Sequence, residues 1–184
     1  KELFVTSSDV VILGGGPGGY AAAIRSAQLG LSVVLIDEAE IGGTCLHRGC
    51  IPTKALLHAA EIADAARTAA QFGVNATFDG VDPEKLHGFK NTVVSRLHKG
   101  LSGLIAALGI TVVNGRGRLT GPTTVEVGGT TITGRSIVLA TGSAPKVPVA
   151  IEMSDRVLTS DQALELDRIP ESAIILGGGV IGVE

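Results

Sequence analysis

The sequence predicts an α/β fold: a Rossmann-like nucleotide-binding domain with a parallel sheet and a small antiparallel β-meander, then the start of a second Rossmann-like domain. Three observations predict it. The β-branched run "VVIL" (Val10–Leu13) opens directly into "GGGPGG" and an alanine-rich stretch, the order of a β-α-β unit. Short strand-like runs broken by glycine pairs crowd the region from Ile110 to Gly134. A second strand-to-glycine-loop segment, "SAIILGGGVIGVE", occupies Ser172–Glu184.

Each element follows from its local pattern. Residues 1–8 read as a lead-in. Val10–Leu13 is a buried strand, "YAAAIRSAQLG" is a helix stopped by Gly30, and Val33–Ile36 is a second strand closed by Asp37. "ALLHAAEIADAARTAAQFG" predicts a long helix ending at Gly73. Another amphipathic helix covers Pro83–Leu108, with Leu86, Phe89, Val93, Leu97, Leu101 and Leu104 at three- to four-residue spacing, although Gly88, Gly100 and Gly103 weaken it. "ITVVNGRGRL", "TTVEV" and "TTITG" are short strands, with a hairpin turn at Gly128-Gly129. "SIVLATGSAP" (Ser136–Pro145) is a further buried strand ending in a Thr-Gly-Ser turn. A proline-bearing connector with a short helix near Asp161–Leu166 leads to a last strand, Ala173–Leu176, which has no sheet to join and whose backbone groups need a partner or water. The domain division is therefore 1–145, a connector 146–172, and the opening of a second nucleotide domain at 173–184, with 177–184 loosely packed.

Composition narrows the class. A hydrophobic share of 45% with 18% charged residues describes a globular chain. The net charge of −3 gives no electrostatic footprint for nucleic acid. No apolar run approaches the ~18 residues of a membrane span, and "KELFVTSSD" lacks signal-peptide architecture, so the expectation is a cytoplasmic chain with no membrane contact. Glycine is frequent, at 26 residues, and aromatics are 3% with no tryptophan, so the core is built from Ala, Val, Ile and Leu.

Gly14, Gly16 and Gly19 satisfy G-x-G-x-x-G directly after a strand and before a helix, and Asp37 ends the next strand. The first glycine permits a tight turn, the second lets backbone N–H groups approach a pyrophosphate, and the third lets helix and sheet pack closely. Asp37 is suited to accept from the ribose hydroxyls of an adenosine. Strand, helix and acid together point to a dinucleotide rather than a bare turn.

The chain's two cysteines, Cys45 and Cys50, lie in "GGTCLHRGCIPTK". A zinc half-site lacks C-x2-C spacing, and His47, His58, His87 and His98 form no ligand pattern, so no metal is expected. Two thiols serving as small hydrophobes remain an open reading. A structural disulfide would close too short a loop to contribute much. On a regular helix these α-carbons would be about 8–9 Å apart, beyond the ~7 Å limit for a disulfide, so a bond requires distortion, for which Gly49 offers freedom. Arg48, Lys54 and a nearby helix start favour a thiolate, and a strained pair is easily reduced. Redox chemistry is the favoured reading.

"GGGPGGYAAAIRSAQLG", "GGTCLHRGCIPTKALL", "LATGSAP" and "GGGVIGVE", in this order, resemble the dihydrolipoamide (dihydrolipoyl) dehydrogenase branch of the pyridine nucleotide–disulfide oxidoreductase family. The similarity runs from about Asp9 to Glu184. The resemblance implies FAD, with Gly14, Gly16 and Gly19 at its pyrophosphate, Asp37 at the ribose, Gly43 and Thr44 along phosphates and flavin, and Gly117 at the adenine. Thr141, Gly142 and Ser143 match the family's "ATG" turn. It implies that Cys45 is the interchange thiol and Cys50 the thiol facing the flavin, with Lys54 and Glu184 as an ion pair flanking the ring. Gly177, Gly179, Gly182 and Glu184 resemble a loop for NAD. Electrons would pass from a dihydrolipoyl group on a lipoyl-bearing protein through the Cys45–Cys50 disulfide and FAD to NAD. His47-Arg48 departs from the commoner Asn-Val pair, which weakens the assignment of substrate; mercuric or glutathione reductases, and a non-catalytic FAD-binding module, are the alternatives.

The resemblance also implies more polypeptide: the rest of an NAD domain, a segment completing the FAD domain, and a C-terminal domain that forms a homodimer and supplies a His–Glu base. It places the parent protein in a 2-oxo acid dehydrogenase complex. His58, His87 and His98 have no acid-partner pattern, and His47 reads as a surface or phosphate-side residue. The expectation is that these 184 residues alone lack lipoamide turnover.

Overall fold

The computed structural model of the chain describes residues 7–184. It divides into two compact units: the first takes the chain up to Leu46 and again from Arg96 to Ser143, and the second comprises His47–Ser95 with Ala144–Glu184.

The first unit is a six-stranded mixed sheet in the order β3-β2-β1-β6-β5-β4, built from β1 (Ser7–Leu13), β2 (Val33–Asp37), β3 (Thr111–Asn114), β4 (Arg118–Gly121), β5 (Thr124–Val127) and β6 (Thr130–Leu139). Strands β3, β2, β1 and β6 run parallel, while β6, β5 and β4 are antiparallel. This is the expected α/β, Rossmann-like arrangement with its meander. The runs Val10–Leu13 and Val33–Ile36 are buried on both faces, which is why they read as continuous apolar runs. The two-residue period divides them. Val10, Ile12, Val33 and Leu35 pack with Ala23, Ile105 and Ile110 on the helical side. Val11, Leu13, Val34 and Ile36 pack with Val125, Val127 and Ile132 of the meander.

Helix α1 (Pro17–Gln28) begins with proline just after its N-cap, Gly16, and turns Gly19 and Ala23 inward. Helix α4 (Pro83–Ala107) begins in the second unit and ends in the first, where Leu101, Ile105 and Leu108 close over the sheet. Its glycines do not interrupt it. The buried line differs from the expected stripe: Phe89, Leu97 and Leu104 are exposed and Lys90 is buried. A lysine can take that place because carbonyl and carboxylate partners receive its ammonium.

Between α1 and α4 lie α2 (Gly43–Arg48), α3 (Cys50–Thr68) and a 3-10 turn, Ala69–Phe72, closed by Gly73. Two four-residue helices follow β6: α5 (Ser160–Ala163) and α6 (Val180–Val183). The hairpin signal at Gly128-Gly129 is met by φ of +55° and +81°, the left-handed pair that a two-residue turn demands.

Three expectations are corrected. The lead-in falls partly outside the described residues, but Ser7 and Ser8 belong to β1 and pair with Thr133 and Gly134. "TTITG" and "SIVLATG" are one strand, β6, which passes from antiparallel pairing with β5 to parallel pairing with β1 at Thr133. Gly134 allows the change, because a β-carbon there would lie 2.9 Å from Val11 Cγ2. Ala173–Leu176, expected as a strand without a sheet to join, indeed joins no ladder, and the correction is that no strand forms there; the segment is exposed. A strand is stable only with a neighbour to pair its amides, and none of the described residues provides one.

Candidate functional site

In the first unit the G-x-G-x-x-G loop sits at the carboxyl end of β1, which has β2 on one side and β6 on the other. That is the switch point where open α/β sheets offer a crevice to ligands. Gly14 N–H donates to the Ile36 carbonyl and Ala140 N–H to the Leu13 carbonyl, both at 2.8 Å, tying the strand ends together.

The glycines have two different reasons to be glycine. Gly14 has φ of +101°, and a β-carbon on it would lie 2.1 Å from the Ala140 oxygen. A β-carbon on Gly19 would lie 1.7 Å from the Gly14 oxygen. The protein's own packing demands both. At Gly16 a β-carbon would meet only the Gly43 α-carbon, at an ordinary 3.8 Å, so packing does not demand glycine there. Directly beyond it α1 starts with no side-chain cap and no acid in its first turn. Uncapped N–H groups and an open approach to backbone fit an anionic pyrophosphate.

Asp37 braces this loop. Its carboxylate accepts from the N–H of Gly15 and, at 2.8 Å, from that of Ala39. The sequence reading missed this bond; the short reach of aspartate is its only signal. A carboxylate has about four acceptor positions, so two backbone bonds leave capacity for ribose hydroxyls. Gly42 N–H donates to the Gly15 carbonyl (2.9 Å), holding the start of α2, with Gly43 and Thr44, against the loop. Thr141, Gly142 and Ser143 follow Ala140 as exposed coil. Gly117 has a packing reason: a β-carbon on it would lie 2.3 Å from Leu13 Cδ2.

The cysteines are carried as thiols at a helix break. Cys45 is half-buried on α2; Cys50 is exposed at the first position of α3; Gly49 between them leaves helical geometry. One turn further along α3, Lys54 Nζ donates to Glu184 Oε1 across 130 residues of sequence, within the second unit. Glu184 follows α6, whose loop repeats the geometry of the first. Gly177 has φ of +115°, Gly179 is the N-cap, and a β-carbon on Gly182 would lie 2.1 Å from the Gly177 oxygen.

Three of the histidines have an acid or carbonyl neighbour. His58 lies 3.4 Å from Glu61, His98 lies 3.8 Å from Glu40, and His87 Nε2 donates to the Leu166 carbonyl. Lys90, which sequence reasoning passed over, donates to the Leu164 carbonyl (2.9 Å) and to Glu165 Oε1 (2.6 Å). Its four-residue spacing from Leu86 and three-residue spacing to Val93 was the available signal.

The sequence profile of the pyridine nucleotide-disulphide oxidoreductases matches residues 8–184. The chain belongs to that family. Dihydrolipoyl dehydrogenase of Bacillus subtilis (strain 168) is 45% identical over 193 aligned residues, covering 97% of this chain and 41% of that protein. Dihydrolipoyl dehydrogenase of Chlamydia muridarum is 49% identical, covering 96% of this chain and 39% of that protein. That of Acholeplasma laidlawii is 38% identical, with 96% and 54% covered. The chain spans about two fifths of the length of the first two relatives. Within this pyridine nucleotide-disulphide oxidoreductase chain, no helix among the described residues is long and apolar enough to cross a membrane.

Proposed function

We propose that the chain is the N-terminal part of an FAD-dependent, dihydrolipoyl dehydrogenase-type enzyme, with 1–145 as the FAD domain, 146–172 as connector and 173–184 opening the NAD domain. The observation that carries this reading is the pairing of Lys54 with Glu184, 130 residues apart, for which the resemblance implied one joint task beside the flavin. Three features support it: the open backbone at Gly16, the uncapped start of α1, and an exposed Cys50 at the first position of α3.

Gly14, Gly16 and Gly19 would hold the pyrophosphate and Asp37 the ribose, with Gly43, Thr44, Gly117 and the Thr141–Ser143 turn completing the FAD contacts. Bound FAD would supply the two-electron relay between a dithiol and NAD. The chain's own step is thiol–disulfide exchange. A dihydrolipoyl thiolate attacks Cys45 Sγ and breaks the Cys45–Cys50 bond, so that Cys50 leaves as a thiolate. The second substrate sulfur then displaces Cys45. The substrate departs as a cyclic disulfide, its two protons pass to bases or solvent, and the two electrons remain on the cysteine pair. Lys54 holds a positive charge, oriented by Glu184. Gly177, Gly179 and Gly182 would shape the NAD loop. A lipoyl-bearing protein as partner, a homodimer, a 2-oxo acid dehydrogenase complex and a cytoplasmic location complete the proposal.

The test is the visible spectrum of the purified protein under anaerobic titration with dihydrolipoamide. A yellow preparation that gains long-wavelength charge-transfer absorbance, and loses that gain in Cys50→Ser, is the expected result. A colourless protein, or an identical response in Cys50→Ser, contradicts the reading.

A further inference from the structure

Among the described residues one group of metal-ligating side chains converges: Glu40, which follows β2, His47 on α2 and His98 on α4. A carboxylate oxygen and two imidazole nitrogens, one from each residue, all lie within 4.8 Å of one another. Glu40 and His98 belong to the first unit, and His47 comes directly after Leu46 on α2, a helix that starts in that unit. The three stand 7 and 51 positions apart in sequence, so no ligand spacing announces them. Their mounts are held. Asp37 accepts from Ala39 N–H at 2.8 Å just before Glu40, Gly42 N–H ties the start of α2 to Gly15, and His98 lies inside the 25-residue α4. An ion pair alone does not account for the group. Glu40 Oε2 and His98 Nδ1, 3.8 Å apart, would make one. A second imidazole at the same carboxylate gains little from pairing, since two imidazolium ions this close repel each other. Two neutral imidazoles and a carboxylate, by contrast, are three donors suited to one cation. Position 47 is also where the chain departs from the commoner asparagine of its family.

We propose that Glu40, His47 and His98 form a binding site for a zinc-class divalent cation, separate from the residues assigned to flavin and NAD. Imidazole nitrogen selects late first-row metals over magnesium and calcium, which take oxygen ligands. Tetrahedral zinc, with bonds of about 2.0–2.2 Å, sets its donors about 3.3–3.6 Å apart. The Glu40–His98 separation is already near that range, and the rest is within reach of a side-chain rotation, since the Glu40 side chain is 72% exposed. Three protein ligands leave a fourth position for water or a further donor, as in open zinc sites. His47 lies on the segment that joins Cys45 to Cys50, but the binding of the cation does not rest on the redox reading above.

The test uses the intact protein and the same protein carrying Cys45→Ser and Cys50→Ser, which removes sulfur as a competing ligand. Both are titrated calorimetrically with zinc chloride, and with magnesium chloride as the hard-cation control. The expected result is one zinc per chain in the serine background and no heat from magnesium. Placed in that background, His47→Asn and His98→Gln each weaken zinc binding by at least about tenfold, the scale on which metal sites answer to lost partners. Glu40→Gln weakens it in the same direction. His58→Gln serves as the control, because His58 has Glu61 beside it and belongs to no group of three. Zinc is also expected to raise the melting temperature of the serine background and to leave that of His47→Asn unmoved. If either histidine variant does not fold, Glu40→Gln decides, since Glu40 is exposed. Zinc uptake that vanishes with the cysteines, or that His47→Asn, His98→Gln and Glu40→Gln leave unchanged, overturns the proposal. A flavin that dithiol does not reduce overturns the redox reading instead, and the zinc titration still judges the site.

Discussion

Gly19 lies so close to Gly14 that a β-carbon on it would sit 1.7 Å from the Gly14 carbonyl oxygen, and Gly182 stands to Gly177 in the same relation, at 2.1 Å. Two loops more than 160 residues apart in the chain thus share one device: a left-handed first glycine whose carbonyl fills the space of the sixth residue's side chain. The contrast with Gly16 makes this testable. Gly19→Ala must push the loop open, and overpacking of that kind costs about 1–3 kcal/mol. Gly16→Ala meets only an ordinary contact and leaves the urea midpoint near that of the wild type. Both variants are expected to lose flavin on gel filtration, Gly16→Ala without loss of stability. Retention of flavin by Gly16→Ala would remove the ligand-based reason for that glycine.

The hairpin between β5 and β6 gives a prediction of stability alone. Gly128 and Gly129 both have positive φ, and nothing lies within 4 Å of where their β-carbons would be. Space is therefore not the constraint; backbone conformation is. Gly128→Val is expected to cost about 1–2 kcal/mol, from the left-handed penalty. Gly128→Asn should cost less, because asparagine tolerates that region. Equal denaturation midpoints for the two variants would show that the turn adjusts.

Much of this was legible because the informative residues act locally. Val10–Leu13, the first glycine loop, Gly128-Gly129 and the break at Gly49 each declare themselves within a few positions. What was hidden depends on long-range partners. Asp37 bracing Gly15 and Lys90 gripping 164–166 leave only the faint trace of one short acid and one charge in helical phase. The merging of two apolar runs into β6 depends on β1 and β5 pairing with opposite edges of that one strand, both of them reaching Thr133. Ala173–Leu176 carries a strand's pattern without a ladder, because a pattern states a preference and the pairing must come from elsewhere.

Asp9 ties the start of the first unit to its neighbours. It accepts from Ser32 N–H (2.9 Å), Ser32 Oγ (2.7 Å) and Arg135 Nη1 (3.2 Å). The Ser32 backbone donor first, then its hydroxyl and Arg135, hold the carboxyl below its ordinary value of 3.8. A depressed carboxylate contributes stability that is fully present above the unfolded value and lost as pH falls through the folded one. Asp82, held low by the Lys85 backbone N–H and side chain, acts in the same direction. Asp9→Asn is therefore expected to flatten the fall in urea midpoint below about pH 4, leaving the slope near neutrality unchanged. An acid limb as steep as the wild type's would assign the loss to other carboxylates.

The Lys54–Glu184 pair separates stability from function most sharply. Both side chains are partly solvated, 56% and 29% exposed, and pairs of this class contribute about 0–1 kcal/mol. Glu184→Gln keeps size and an acceptor oxygen but removes the charge that orients Lys54. The melting temperature should move little. If the pair flanks a flavin, the absorbance envelope and reduction potential of the bound cofactor should shift, because one negative charge has left the neighbourhood of the lysine. Lys54→Met removes the opposite charge and should displace the potential in the opposite direction, without unfolding the chain. A flavin spectrum and potential identical in all three proteins would separate the ion pair from the cofactor and leave it a tie between α3 and the chain's last residue.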